Sequence, residues 1–151
     1  MAAKADALAA RIFTSLMEFM PLFHRHLMPS LAIDLKERMG LGRSQAKALI
    51  VLANGGPATP TELGRCMAMT KASLTGLVDE LEAQGLVERV NDEKDRRKSV
   101  VSPTALGIER AQAVMAAWTA SLDASLSAHP HEDLECVAAG LENVVDSLKR
   151  L

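Results

Sequence analysis

Apolar residues recur at steps of three and four along most of the chain, the spacing of one helical face. Leu8, Ile12, Leu16, Phe19, Met20, Phe23 and Leu27 predict a long N-terminal helix, with Pro29 at its end. A short segment from Ser30 to Met39 follows and stops at Gly40. A further helix is expected from Arg43 to Asn54, closed by Asn54-Gly55-Gly56-Pro57. Thr59 or Thr61 suits the cap of a short helix with Pro60 in its first turn. Thr70 then opens a helix over 71–84, with Gly85 past its end. Its Leu74, Leu77, Val78 and Leu81 share one face. The opposite face carries Lys71, Ser73, Thr75, Asp79 and Glu82.

The period shortens after Gly85. Residues 86–91 and 98–102 read as two short strands, and the charged run 92–97 between them as a hairpin tip. Thr104 is the expected cap of the next helix, which carries Ala111, Val114, Met115, Trp118, Leu122 and Leu126. His129-Pro130-His131 breaks it, and a last helix spans 132–151, with Leu134, Val137, Ala138, Leu141, Val144, Val145 and Leu148 as its stripe. The fold class that results is mainly α with a small β-hairpin. Aromatics make up only 3% of the 151 residues and Tyr is absent, so Ala, Leu and Met fill the apolar positions, which favours helix over strand.

Two short helices joined by a tight turn, then a charged hairpin, is the order of a winged helix-turn-helix. Residues 71–84 would be the recognition helix. An α-helix fits the major groove, and the small hydroxyls and single cation near its start can approach bases and phosphates. Its N-terminal amides add a partial positive charge. Within residues 94–98 of the wing, Lys94, Arg96, Arg97 and Lys98 stand against Asp95 alone, and guanidinium groups on a thin hairpin suit a narrow minor groove. A capped, solvated helix face and an ordinary charged turn would leave the same residue types.

Taken together, these segments resemble the MarR family of transcriptional regulators. The likeness rests on residues 60–65 (PTELGR), 69–89 (MTKASLTGLVDELEAQGLVER), 92–97 (DEKDRR, against the family's D-x-[RK]-D-R-R) and 104–107 (TALG, against its LTxxG). Gly76 stands where many members carry a basic or polar residue, and Pro103 replaces the usual Leu. The resemblance implies one domain over 1–151. The winged helix-turn-helix would occupy about 43–103, and helices in 5–40 and 104–151 would interlock in a homodimer. It further implies transcriptional repression relieved by a small molecule or by oxidation. Thr70, Lys71, Ser73 and Thr75 fall where the family contacts the major groove. Arg96, Arg97 and Lys98 fall on the wing. The terminal apolar stripes fit a dimer or a core within one monomer. In a dimer the recognition helices would meet half-sites about 34–36 Å apart on a pseudo-palindromic operator of double-stranded DNA.

Phe23, His26, Met39, Met115 and Trp118 are the candidate lining of an effector pocket, and equally suit ordinary core. A cation beside a thiol favours the thiolate, so Cys66, next to Arg65, is either a redox sensor or a buried structural cysteine. Cys136 reads as core. His24 and His26, and His129 and His131, form His-x-His pairs whose rings diverge on a helix. No metal site and no cofactor is therefore expected. No phosphate loop, HExxH or nucleophile elbow is present, which argues against an enzyme. Two cysteines without CxxC spacing, an N-terminus without an apolar signal core and the lack of a long apolar run point to a cytoplasmic protein away from membranes.

Charge tells against DNA. The formal net charge is −2, and residues 61–98 hold seven Lys/Arg against eight Asp/Glu. The alternative is a winged-helix protein-interaction module without DNA binding. Whether the cations gather on one face separates the two.

Overall fold

A computed structural model describes residues 2–29, 35–91 and 99–150. In chain order the elements are α1 (Ala2–His26), α2 (Leu35–Met39), α3 (Arg43–Gly55), α4 (Pro60–Met67), α5 (Lys71–Ala83), β1 (Val87–Asn91), β2 (Ser99–Pro103), α6 (Ala105–Leu126) and α7 (His131–Leu148). The chain divides into two compact units. One is residues 33–118, and the other joins 1–32 to 119–151. The division passes through α6 and places α2 with the winged helix-turn-helix.

Unit 33–118 has a single core. Leu41, Leu49, Leu52, Leu63, Leu81, Val101 and Val114 are its largest fully buried side chains. The apolar stripe read along the recognition helix is the buried one: Leu74, Leu77, Val78 and Leu81 all face the core. Polar chemistry sets where its helices begin. Thr59 caps α4 through a reciprocal pair in which its Oγ1 accepts from the Glu62 amide (3.3 Å) while the Thr59 amide donates to Glu62 Oε2 (2.8 Å). Thr70 caps α5, its Oγ1 accepting from the Ser73 amide.

Both turns of the recognition module are six-to-one closures. After α4 the Met69 amide reaches the Gly64 carbonyl (3.0 Å), and Ala68 takes the left-handed conformation at φ 52°. After α5 the Leu86 amide reaches Leu81 (2.9 Å) across Gly85, at φ 69°. Leu81 and Leu86 are both buried, which supplies the apolar contact of that closure.

β1 and β2 pair antiparallel, with Val87 opposite Pro103 and Asn91 opposite Ser99. Ala58 bonds both ways to Val101 on the far side of β2 (3.1 and 2.8 Å), so β2 is enclosed there. Pro103 lacks an amide donor and stands at the last position of β2, where the ladder ends. Thr104 joins the hairpin to α6. Its amide donates to the Leu86 carbonyl, its Oγ1 donates to the Gly85 carbonyl (2.7 Å), and that oxygen accepts from the Gly107 amide (3.1 Å).

In the other unit, α1 stops at His26, three residues before Pro29, with the Phe23 carbonyl accepting from both the Leu27 and Met28 amides. Pro21 lies inside α1, where its missing N–H removes one rung. Phe23, Leu27, Leu122, Leu126 and Leu134 are half-buried here, and no residue of α7 is buried. The remaining apolar stripes stand open: Ile12, Phe13, Leu16, Val137, Leu141, Val144 and Leu148 are all exposed.

Candidate nucleic-acid interface

Burying Leu74, Leu77, Val78 and Leu81 turns the rest of α5 outward. Lys71, Ala72, Ser73, Thr75 and Gly76 are all exposed over its first two turns. Only small side chains accompany the single cation, so a surface pressed here would approach the helix backbone closely.

The hydroxyls are partly committed. Thr75 Oγ1 donates to the Lys71 carbonyl (2.9 Å), which spends its proton and leaves its lone pairs and methyl outward. Thr70 Oγ1 and Ser73 Oγ share one hydrogen bond at 2.9 Å. Of the three hydroxyl protons, one therefore stays free to donate to a phosphate or a base acceptor.

Beside this face lies an open groove of about 720 Å³ between α4 and α5. Its cations are Arg65, Lys71 and Arg89. Arg65 and Arg89 come from α4 and β1 and were not among the residues expected at the site. Nothing local marks them, because only the tertiary fold brings three separate elements to one groove. Arg89 pairs with both Asp79 and Glu82 of α5. The hydrogen bond that its guanidinium donates to Asp79 is the main reason its pKa is raised, so its charge is permanent wherever the protein is folded.

On the far side, Gln45 is buried. It accepts from the Gly42 amide through Oε1 (2.7 Å) and donates from Nε2 to Glu80 Oε2 (3.0 Å), tying the start of α3 to the recognition helix. Arg96, Arg97 and Lys98, the expected wing contacts, lie outside the described residues.

The fold agrees with solved regulators. A MarR family protein from Bacillus stearothermophilus matches at TM-score 0.74 and 21% identity, over 93% of this chain and 97% of that one. A MarR-like transcriptional regulator from Thermotoga maritima matches at TM-score 0.58 and 28% identity, over 95% and 98%. Residues 39–98, which hold the whole recognition module, match the model of the MarR family. Over those residues the chain is MarR-like in sequence. Among curated relatives, the HTH-type transcriptional regulator YcgE of Bacillus subtilis is 39% identical over 67 residues, which is 44% of this chain and 44% of its own length. YfiV of the same organism is 38% identical over 73 residues, 47% of this chain and 46% of its own. The alignments thus span less than half of either relative. The HTH-type transcriptional repressor YetL, also from B. subtilis, is 28% identical over 72% of this chain and 66% of its own. The family is one of transcriptional regulators.

The remaining expected residues are dispersed. Phe23 and His26 line an apolar cavity of about 450 Å³ formed by α1, the end of α6 and α7. Met39 and Trp118 pack against the core of unit 33–118, and Met115 is exposed. The Trp118 Nε1 is buried with no hydrogen-bond partner. Cys66 is exposed on α4, so it is not a buried structural cysteine. Cys136 is exposed as well, which corrects its reading as core: α7 turns that side away from its own unit. Among the described residues no cluster of three His, Cys, Asp or Glu could hold a metal ion, and no helix is long and apolar enough to cross a membrane.

Proposed function

We propose that this chain is a homodimeric, sequence-specific regulator of transcription that binds double-stranded DNA, and that it represses until a small molecule or an oxidant releases it. One observation carries the reading. The exposed first turns of α5, bearing Lys71, Ser73 and Thr75, adjoin a groove to which α4 brings a second cation, Arg65. A protein-interaction module of balanced charge has no need to gather cations beside a capped helix start. Thr70, Lys71, Ser73 and Thr75 are assigned to the major groove, and Arg96, Arg97 and Lys98 to the minor groove and backbone.

The homodimer is supported by the open apolar faces of α1 and α7, since contiguous exposed apolar patches mark interaction surfaces. Names of relatives support the remainder. YetL is described as a repressor. A structural neighbour from Bordetella bronchiseptica, BpsR, has its DNA binding regulated by 6-hydroxynicotinic acid. Effector release is assigned to a small molecule in the apolar cavity that Phe23 and His26 line, or to oxidation at the exposed Cys66. A cytoplasmic location follows from acting on DNA.

A gel shift with the DNA upstream of the protein's own gene tests the reading, with and without oxidant or small aromatic acids. A discrete complex that strengthens at low salt and weakens with one of those agents is the expected result. No complex with that DNA, and none with a duplex pool, would refute it. Arg97→Ala is expected to weaken binding to every sequence and to lower the salt slope by about one ion.

A further inference from the structure

The recognition helix carries an awkward charge. Against Lys71 it sets Asp79, Glu80 and Glu82. Double-stranded DNA presents one negative charge per ~1.7 Å of axis. At about 6 Å from phosphate across water, each bare carboxylate lowers affinity roughly threefold, so two lower it about tenfold.

The three carboxylates are not placed alike. Glu80 turns toward α3, where Gln45 holds it. Asp79 lies four residues after Thr75, and Glu82 three after Asp79, so both continue the line of Lys71 and Thr75 along the helix. Arg89, from the base of the wing, engages both of them and also lines the groove beside Lys71. Its side chain is 36% exposed, against 57% for Asp79 and 39% for Glu82, so the bridge sits at the surface where such pairs add little to folding stability. Its position matches a different task.

We propose that Arg89 is a positioning residue of the DNA interface that masks Asp79 and Glu82, allowing the later turns of α5 to settle against a phosphate backbone. This rests on the DNA-binding reading. Arg89 then acts through the two carboxylates and not through a phosphate of its own.

The test is a mutant cycle read by fluorescence anisotropy on a mixed-sequence duplex of about 30 base pairs, long enough for two half-sites. Salt is varied from about 50 to 200 mM. Four proteins are compared: wild type, Arg89→Gln, Asp79→Asn/Glu82→Gln, and the triple variant. Arg89→Gln, which leaves one more uncompensated negative charge on the helix, is expected to bind about threefold more weakly than wild type. In the background without the carboxylates, the same change is expected to cost less than about 1.5-fold, with the salt slope preserved. A triple variant about threefold or more weaker than Asp79→Asn/Glu82→Gln, with its slope lowered by about one, would mean that Arg89 grips a phosphate directly and would overturn the masking role. Thermal melts accompany each protein. If Arg89→Gln alone does not fold, the comparison between the last two proteins decides by itself. Wild-type protein that binds no duplex at low salt would remove the DNA-binding reading, and this inference with it. Firm wild-type binding with no rescue removes the inference alone.

Discussion

An added Cβ at Gly107 would stand 2.0 Å from the Leu86 carbonyl oxygen, a backbone atom that Thr104 already holds. The glycine is therefore required by the close approach of α6 to the turn after α5. Gly107→Ala is expected to destabilise the protein by about 3 kcal/mol, the upper range for overpacking, read as a lowered urea midpoint. Gly76 is the opposite case. Nothing lies within 4 Å of its would-be Cβ, and its backbone is ordinary helix. Gly76→Ala is expected to stabilise the fold by about 1 kcal/mol through helix propensity alone. An unchanged or lowered melting temperature would contradict that. Both glycines were visible as letters in the sequence, but their reasons were not. One depends on a carbonyl 21 residues away in the chain, and the other on the absence of any neighbour.

Element boundaries followed the sequence closely wherever a cap fixed them. Thr59 with Pro60, Thr70, Gly85 and Thr104 each begin or end an element by a hydrogen bond made within a few residues, and such bonds are legible locally. Pro29 misled by three residues because α1 closes on the Phe23 carbonyl before reaching it. The bridge from β1 to α5 left no local trace, since Arg89 meets partners seven and ten positions earlier on another element. The left-handed residue in the turn between the two helices of the recognition module is an alanine, not a glycine. Ala68→Gly should relieve that strain and raise stability by about 0.5 kcal/mol, after the added freedom of the unfolded chain is set against the relief of about 1–2 kcal/mol. A melting curve shifted downward would show that Ala68 is held in place by packing instead.

For the whole molecule, the stripes on α1 and α7 were legible as apolar periodicity, but whether they close within one chain was not. The structure leaves them open, with Leu141 47% and Val144 55% exposed. Light scattering is expected to give twice the 16.2 kDa of the chain at micromolar concentration, and Leu141→Asp/Val144→Asp to shift the mass toward the monomer. A wild-type monomer would leave the terminal helices without an account. In the proposed dimer, the two-fold axis would set the spacing of the recognition helices. Guanine N7 lies in the major groove, so methylation interference on a duplex selected by the protein reads the placement of α5 directly. The account predicts two patches of interference centred about 34–36 Å apart, one per recognition helix. Undiminished binding to a duplex methylated at every guanine within the protected region would contradict it.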